Sequence, residues 1–215
     1  MKKIKVRPLY RAAVIRKTKE TRVSVRVALP GRGKARVNTG IGFLDHMLTL
    51  LSYHGMMDLD VAARGDLAVD IHHTNDDVGI TLGQALKKAL GPKRGIRRYG
   101  FFYLPMDEAL VKSVVALDIS GRPSFHITGG NKVRGQAVRG LSKRGREVAY
   151  TLQDAENFLT ELARHAGITL HVQIIAGRDV HHVLEGIFKG LGKALDMATQ
   201  VDERRQGVPS TKGVI

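Results

Sequence analysis

The sequence predicts an α+β fold made of an internally duplicated unit, each half a mostly antiparallel sheet packed against two helices. Three observations lead there. First, the stretch Asp70-Ile71-His72-His73-Thr74-Asn75-Asp76 returns as Asp179-Val180-His181-His182-Val183-Leu184-Glu185. Second, the spacing holds well beyond that motif: His54 to His165 and Leu59 to Leu170 are 111 apart, while His72 to His181, Asp76 to Glu185 and Leu86 to Leu195 are 109 apart. A repeat of this length marks two copies of one folding unit whose connecting loops differ by two residues. Third, strand-type and helix-type periodicities follow one another in the same order in both halves, divided here as 1–92 and 93–215.

Taken in order, residues 11–17 and 22–29 read as strands, the second because Val23, Val25, Val27 and Leu29 alternate with Arg22, Ser24, Arg26 and Ala28. Pro30-Gly31-Arg32-Gly33 turns the chain into a third strand, about 35–39. Phe43, Met47, Leu48, Leu50 and Leu51 then form the apolar stripe of a helix that carries His46 and ends near His54-Gly55. Strand-like segments at 57–63 and 67–70 precede a helix over 72–90, with Asp70 as N-cap and Gly91-Pro92 as stop. In the second half, Tyr99 to Ile119 is strand-rich and Pro123 to Thr128 is another strand. A strand at 147–152, a helix from Asp154 to about His165, a strand at 168–176 and a helix over 180–200 follow. The end of the sequence, 202–215, reads as an irregular arm.

Composition narrows the function. With no cysteine there are no disulfides and no thiolate metal sites, so histidine and carboxylate are the available ligands. No run of about 18 apolar residues occurs, and the basic Met1-Lys2-Lys3 start lacks an apolar signal segment, so a cytoplasmic location is expected. The formal net charge of +15 favours polyanionic partners, either nucleic acid or small phosphorylated molecules. Much of the excess lies in the segment 129–146, where Lys132, Arg134, Arg139, Lys143, Arg144 and Arg146 meet no acid. Its five glycines, 129, 130, 135, 140 and 145, read as a solvated loop, and from Asn131 to Arg146 it holds no aromatic residue on which a base would stack.

The paired motif carries the chemistry. Residues four apart share a helix face while neighbours point about 100° apart. His72 therefore converges with Asp76, and His181 with Glu185, while His73 and His182 look elsewhere. Adjacent histidines so arranged suit two metal ions better than one. With His46 and His171 the inventory is six imidazoles and two carboxylates, a set that favours manganese, iron or zinc over calcium or magnesium. His171 also reads as a core histidine of the apolar strand Leu170-His171-Val172.

These residues resemble the imidazoleglycerol-phosphate dehydratases of histidine biosynthesis. The likeness rests on Arg16 to Thr21, Gly42-Phe43-Leu44-Asp45-His46-Met47-Leu48, Asp70 to Gly79, Pro105-Met106-Asp107-Glu108-Ala109, Asp118 to Pro123, His181 to Lys189 and Pro209 to Val214, in that order. It implies a hydro-lyase that dehydrates D-erythro-imidazole glycerol phosphate to imidazole acetol phosphate. It further implies a homo-oligomer, a 24-subunit octahedral cage, with two manganese ions per active site stabilising an imidazolate or diazafulvene-like intermediate. The family pattern assigns His72, Asp76, His171 and His181 to one ion, and His46, His73, His182 and Glu185 to the other. It makes Glu20 the proton-transfer residue, with His46, His73 and Glu185 beside it at the catalytic centre, and brings Arg98, Arg122, Lys189, Ser210 and Lys212 to the phosphate. The chain departs from the pattern at Asp76, where glutamate is usual, and in the length of the basic segment. The alternative expectation is a metal-stabilised assembly or nucleic-acid-binding protein of the same fold.

Overall fold

The computed structural model describes residues 10–117, 121–141 and 147–211. Strands β1 (Tyr10–Lys17), β2 (Arg22–Leu29), β3 (Ala35–Asn38) and β4 (Asp58–Arg64) form one sheet in the order β1-β2-β4-β3. Strands β5 (Tyr99–Met106), β6 (Ala109–Leu117), β7 (Ser124–Gly129) and β10 (Ile168–Ala176) form a second in the order β5-β6-β10-β7. In each sheet the first three neighbours pair antiparallel and the last strand joins parallel, so the duplicated α+β layout is visible in the pairing itself.

Helices α1 (Gly42–His54), α2 (His72–Leu90), α3 (Leu152–Ala166) and α4 (Val180–Thr199) lie against these sheets. They pair crosswise, α1 with α4 and α2 with α3, so each helix pair takes one member from each half. Glycine makes the close approach possible. A Cβ on Gly192 would stand 2.8 Å from both Gly55 N and Leu51 O, and one on Gly83 would stand 2.8 Å from Leu162 O. Gly83 and Gly192 are the same position of the repeat, so the duplicated glycine is a duplicated helix crossing. One continuous core joins the halves, running from Val23, Val25 and Leu48 to Phe158, Phe188 and Leu191.

Helix ends follow the side chains available. Asp179 is the N-cap of α4 and accepts from His181 N at 2.7 Å. Asp70 is not the N-cap of α2: that position is Ile71, which has no capping side chain, and Asp70, one residue earlier, accepts from His72 N at 2.8 Å. Helix α3 starts at Leu152, not Asp154: Thr151 is the N-cap and Asp154 the third residue of a reciprocal capping box. Residues 67–70 form a turn, not a strand, with Val69 N–H bonded to Asp66 O at 2.7 Å. The apolar alternation there is too short to recruit a ladder partner, and the segment instead carries the chain across the sheet end to His72.

The basic segment is also not all loop. Val138, Val148 and Tyr150 alternate with exposed residues, and β8 (Ala137–Leu141) pairs with β9 (Glu147–Thr151) as an antiparallel hairpin. Arg134 pairs with Glu156 and Arg139 with Glu147, so acids from outside the segment answer part of its charge. After α4 the arm is tied down by Asp202, whose N–H bonds Gly95 O and whose carboxylate receives Arg204. No helix among the described residues is long and apolar enough to cross a membrane.

Candidate metal centre

Glu185 is the centre of one cluster. It lies one turn into α4, 8% exposed, and its Oε1 sits 3.1 Å from His46 Nε2 and 3.1 Å from His181 Nε2. Its Oε2 pairs with Lys189 Nζ, which reaches back one helical turn and also touches Met106 Sδ. Burial alone would push the Glu185 carboxyl up, but hydrogen bonds from Lys189, His46 and His181 outweigh it and hold it at about 2. Ligand atoms of His46, His181 and Glu185 lie within 4.8 Å of one another, and among the described residues this is the one such group of three. The α1–α4 crossing brings them together, and Phe43, itself packed on Tyr150, meets the His181 ring edge-on at 5.2 Å.

The start of α2 carries the second group. His72 Nε2 is 3.4 Å from Asp76 Oδ2, the contact that helix geometry requires. Burial raises the Asp76 carboxyl, opposed by His72 and Asn75. Asp77 does not substitute for the shorter ligand: Arg16 Nε holds it at 2.7 Å and Thr21 Oγ1 donates to its other oxygen. Asn75 is structural too, bonded to Asp154 O and to the buried Tyr150 hydroxyl.

The second histidine of each pair is held differently. His73 Nδ1 meets Asp66 Oδ2 at 2.9 Å, with Glu20 Oε2 at 3.8 Å, and the Asp66 bond raises its pKa. His182 Nδ1 meets Glu108 Oε2 at 2.7 Å, while its Nε2 faces Asp107 at 3.4 Å. Glu108 is held down at about 2, first by His182 and then by the backbone N–H groups of Arg178 and Asp179. A carboxylate on Nδ1 is the usual orienting partner of an imidazole that ligates through Nε2. Neither Asp66 nor Glu108 stood out as a site residue in the sequence. Asp107-Glu108 lay within a resembling motif, but which histidine it would meet depends on chain pairing.

His171 is not a core histidine. Strand alternation buries Leu170, Val172 and Ile174 and turns His171 outward, where it stacks on His126 of the adjacent strand at 4.6 Å. It stands on the same outward face as Tyr99, Phe101 and Tyr103, each about half exposed. Within the protomer, then, His181 keeps company with His46 and Glu185, and His171 stands with neither histidine pair. Of the expected phosphate residues, Arg98 donates to Pro209 O at 3.0 Å and so stands beside Ser210, whereas Lys189 is committed to Glu185. Arg122 is exposed after β6, and Lys212 lies outside the described residues.

Two openings flank the site. One of about 280 Å³ is lined by Phe43, His46, Val138, Gly140 and Val148. A larger one of about 890 Å³ lies between the 65–71 turn and β9, lined by Asp66, Asp70, Glu147 and Val148 among others. The β8–β9 hairpin forms a wall of both.

Residues 39–195 match the family model described as imidazoleglycerol-phosphate dehydratase, which spans most of the chain and includes every candidate metal ligand. The chain belongs to that family. A relative from Thermoanaerobacter pseudethanolicus, named imidazoleglycerol-phosphate dehydratase, is 47% identical over 208 residues, covering 96% of this chain and all of its own length. One of the same name from Trichodesmium erythraeum is 49% identical, covering 97% of this chain and 92% of its own. Among solved structures, the family enzyme from Pyrococcus furiosus in complex with (S)-C348 superposes with a TM-score of 0.74 at 34% identity, covering 94% of this chain and 100% of that one. The dehydratase from Staphylococcus aureus gives 0.70 at 31% identity, covering 89% and 99%.

Proposed function

We propose that this chain dehydrates imidazole glycerol phosphate to imidazole acetol phosphate in histidine biosynthesis, as a cytoplasmic manganese-dependent hydro-lyase. One observation carries the reading: in a member of this family, two imidazole nitrogens converge on a single buried carboxylate oxygen at 3.1 Å each. A metal suits these residues. The donors are imidazole and carboxylate without thiolate, which fits manganese, and two further imidazoles are held through Nδ1 by loop carboxylates, with Nε2 as their outward nitrogen, that of His182 beside Asp107 at 3.4 Å. The family pattern would give His46, His73, His182 and Glu185 to one ion and His72, Asp76, His171 and His181 to the other. Because His46, His181 and Glu185 converge within the protomer, that division requires His181 to turn from Glu185 toward ligands completed by a second copy. When bound, such ions supply positive charge that favours the deprotonated form of a substrate imidazole ring.

The remaining work falls to side chains. In the net reaction a hydroxyl leaves the ring-bearing carbon, a proton leaves its neighbour, and the resulting enol settles as the ketone, so one water is lost. Glu20 is the proton carrier in this reading: it is about half exposed at the β1–β2 turn, and its Oε2 is 3.8 Å from His73 Nδ1. Arg98 and Ser210, with Arg122 and Lys212, would bind the phosphate, and Lys189 balances the Glu185 charge.

His171, on an outward sheet face beside exposed aromatics, supports assembly: a second copy must meet that face for His171 to join a shared site. A homo-oligomer, in the 24-subunit cage arrangement, is part of the proposal. Incubating purified protein with manganese and imidazole glycerol phosphate and following the keto product tests it. Absence of product with metal in excess rejects it.

A further inference from the structure

The two halves place a glutamate at the same topological position. The β1–β2 turn of the first half holds Glu20, and the β5–β6 turn of the second holds Asp107-Glu108. Each glutamate faces Nδ1 of the second histidine of its half's pair, Glu20 at 3.8 Å from His73 and Glu108 at 2.7 Å from His182. Their commitments differ. Asp66 has taken the His73 nitrogen at 2.9 Å, and Glu20 stands half exposed beyond hydrogen-bond distance. Glu108 instead accepts three hydrogen bonds: from Arg178 N (3.1 Å) and Asp179 N (2.9 Å) on Oε1, and from His182 Nδ1 on Oε2.

His182 lies between two carboxylates, Glu108 Oε2 at 2.7 Å from Nδ1 and Asp107 Oδ2 at 3.4 Å from Nε2. A carboxylate accepts and does not donate, so the ring in its neutral form carries its proton on Nδ1, toward the nearer one, and turns Nε2 to the Asp107 side, where a cation would replace the longer contact. The backbone bonds anchor the glutamate to the chain that enters α4, so the ring is held relative to the helix from which it projects. We infer that Glu108 is the positioning residue that fixes the ring orientation and tautomer of His182, the role Asp66 plays for His73, while Glu20 in the equivalent turn is left available to substrate. This rests on the proposed function, since it matters only if His182 Nε2 binds a cation.

Glu108→Gln separates positioning from folding. A glutamine has one acceptor oxygen, and the two backbone N–H groups require it at the Oε1 place. Its NH2 then faces His182 Nδ1, drives the ring proton to Nε2 and blocks that nitrogen. Manganese titration of the full-length metal-free chain, with thermal melts alongside, is the test. The wild type is expected to take two ions per active site. Glu108→Gln should stay folded and melt cooperatively, with some loss of Tm from the lost carboxylate, bind one ion normally and lose roughly 10–100-fold in affinity for the other. Adding it to His182→Ala should change nothing further. Wild-type affinity at both sites in Glu108→Gln, or the same loss with and without His182, overturns the inference while leaving the proposed function standing. A wild type that binds no manganese overturns both. Ring 15N shifts of the metal-free wild type provide a measurement independent of the variant: Nδ1–H at His182 supports the inference and Nε2–H refutes it.

Discussion

Replacing Gly192 by alanine tests whether the duplicated helix crossing sets the site geometry. The new methyl would meet Gly55 N and Leu51 O at 2.8 Å and His54 C at 3.2 Å, all backbone atoms of the end of α1, so no side chain can rotate aside. Overpacking of this kind costs up to about 3 kcal/mol, and alanine returns about 1 kcal/mol of helix propensity, leaving a loss of about 2 kcal/mol. For a chain of 215 residues that lowers Tm by roughly 4–8 °C. Gly190→Ala on the same helix is the control, because its methyl meets chiefly the movable Ser113 hydroxyl at 2.9 Å and carries the same propensity gain. Calorimetry should show Gly192→Ala well below Gly190→Ala. Because α1 carries His46 and α4 carries Glu185, Gly192→Ala should also weaken metal binding. A Gly192→Ala chain as stable as Gly190→Ala refutes the claim that this crossing is close-packed through backbone.

Three further outcomes follow from local contacts. Thr151→Ala removes the N-cap of α3 and one arm of its capping box, and should cost about 1 kcal/mol in denaturant melts. Arg204 holds the Asp202 carboxyl down at about 2, below its ordinary 3.8, so its contribution to stability is present above pH 3.8 and lost as pH falls toward 2. The Tm gap between wild type and Asp202→Asn should therefore be widest above pH 4 and close toward pH 2; a gap that widens on acidification contradicts this. Asp76→Glu lengthens a side chain that stands 3.4 Å from His72 Nε2 and should tighten manganese binding in a titration, with weaker binding as the opposing result.

Much of this fold and site could be read from residues alone, where the physics is local. The recurring histidine and leucine spacing announced two equivalent units, and the four-residue offset put Asp76 with His72 and Glu185 with His181, as the helices do. What escaped was set by tertiary contact. Asp66 and Glu108 become partners of His73 and His182 because turns from other elements arrive there, and neither turn has a period to read. Strand β9 was legible as the expected strand at 147–152, but its partner β8 was hidden because glycine and charge dominate 129–146, although Val138 supplies an inward position opposite Tyr150. His171 is instructive in the opposite sense: the alternation of Leu170, Val172 and Ile174 already implied an outward histidine, and apolar neighbours in sequence disguised it.

The metal centre itself is most directly tested by an anomalous difference map from crystals grown with manganese, recorded on either side of its absorption edge. The account predicts a peak bonded to the His46 ring and the Glu185 carboxylate, with a second served by His72 and Asp76. Manganese bound only away from these side chains, or not at all, would contradict it.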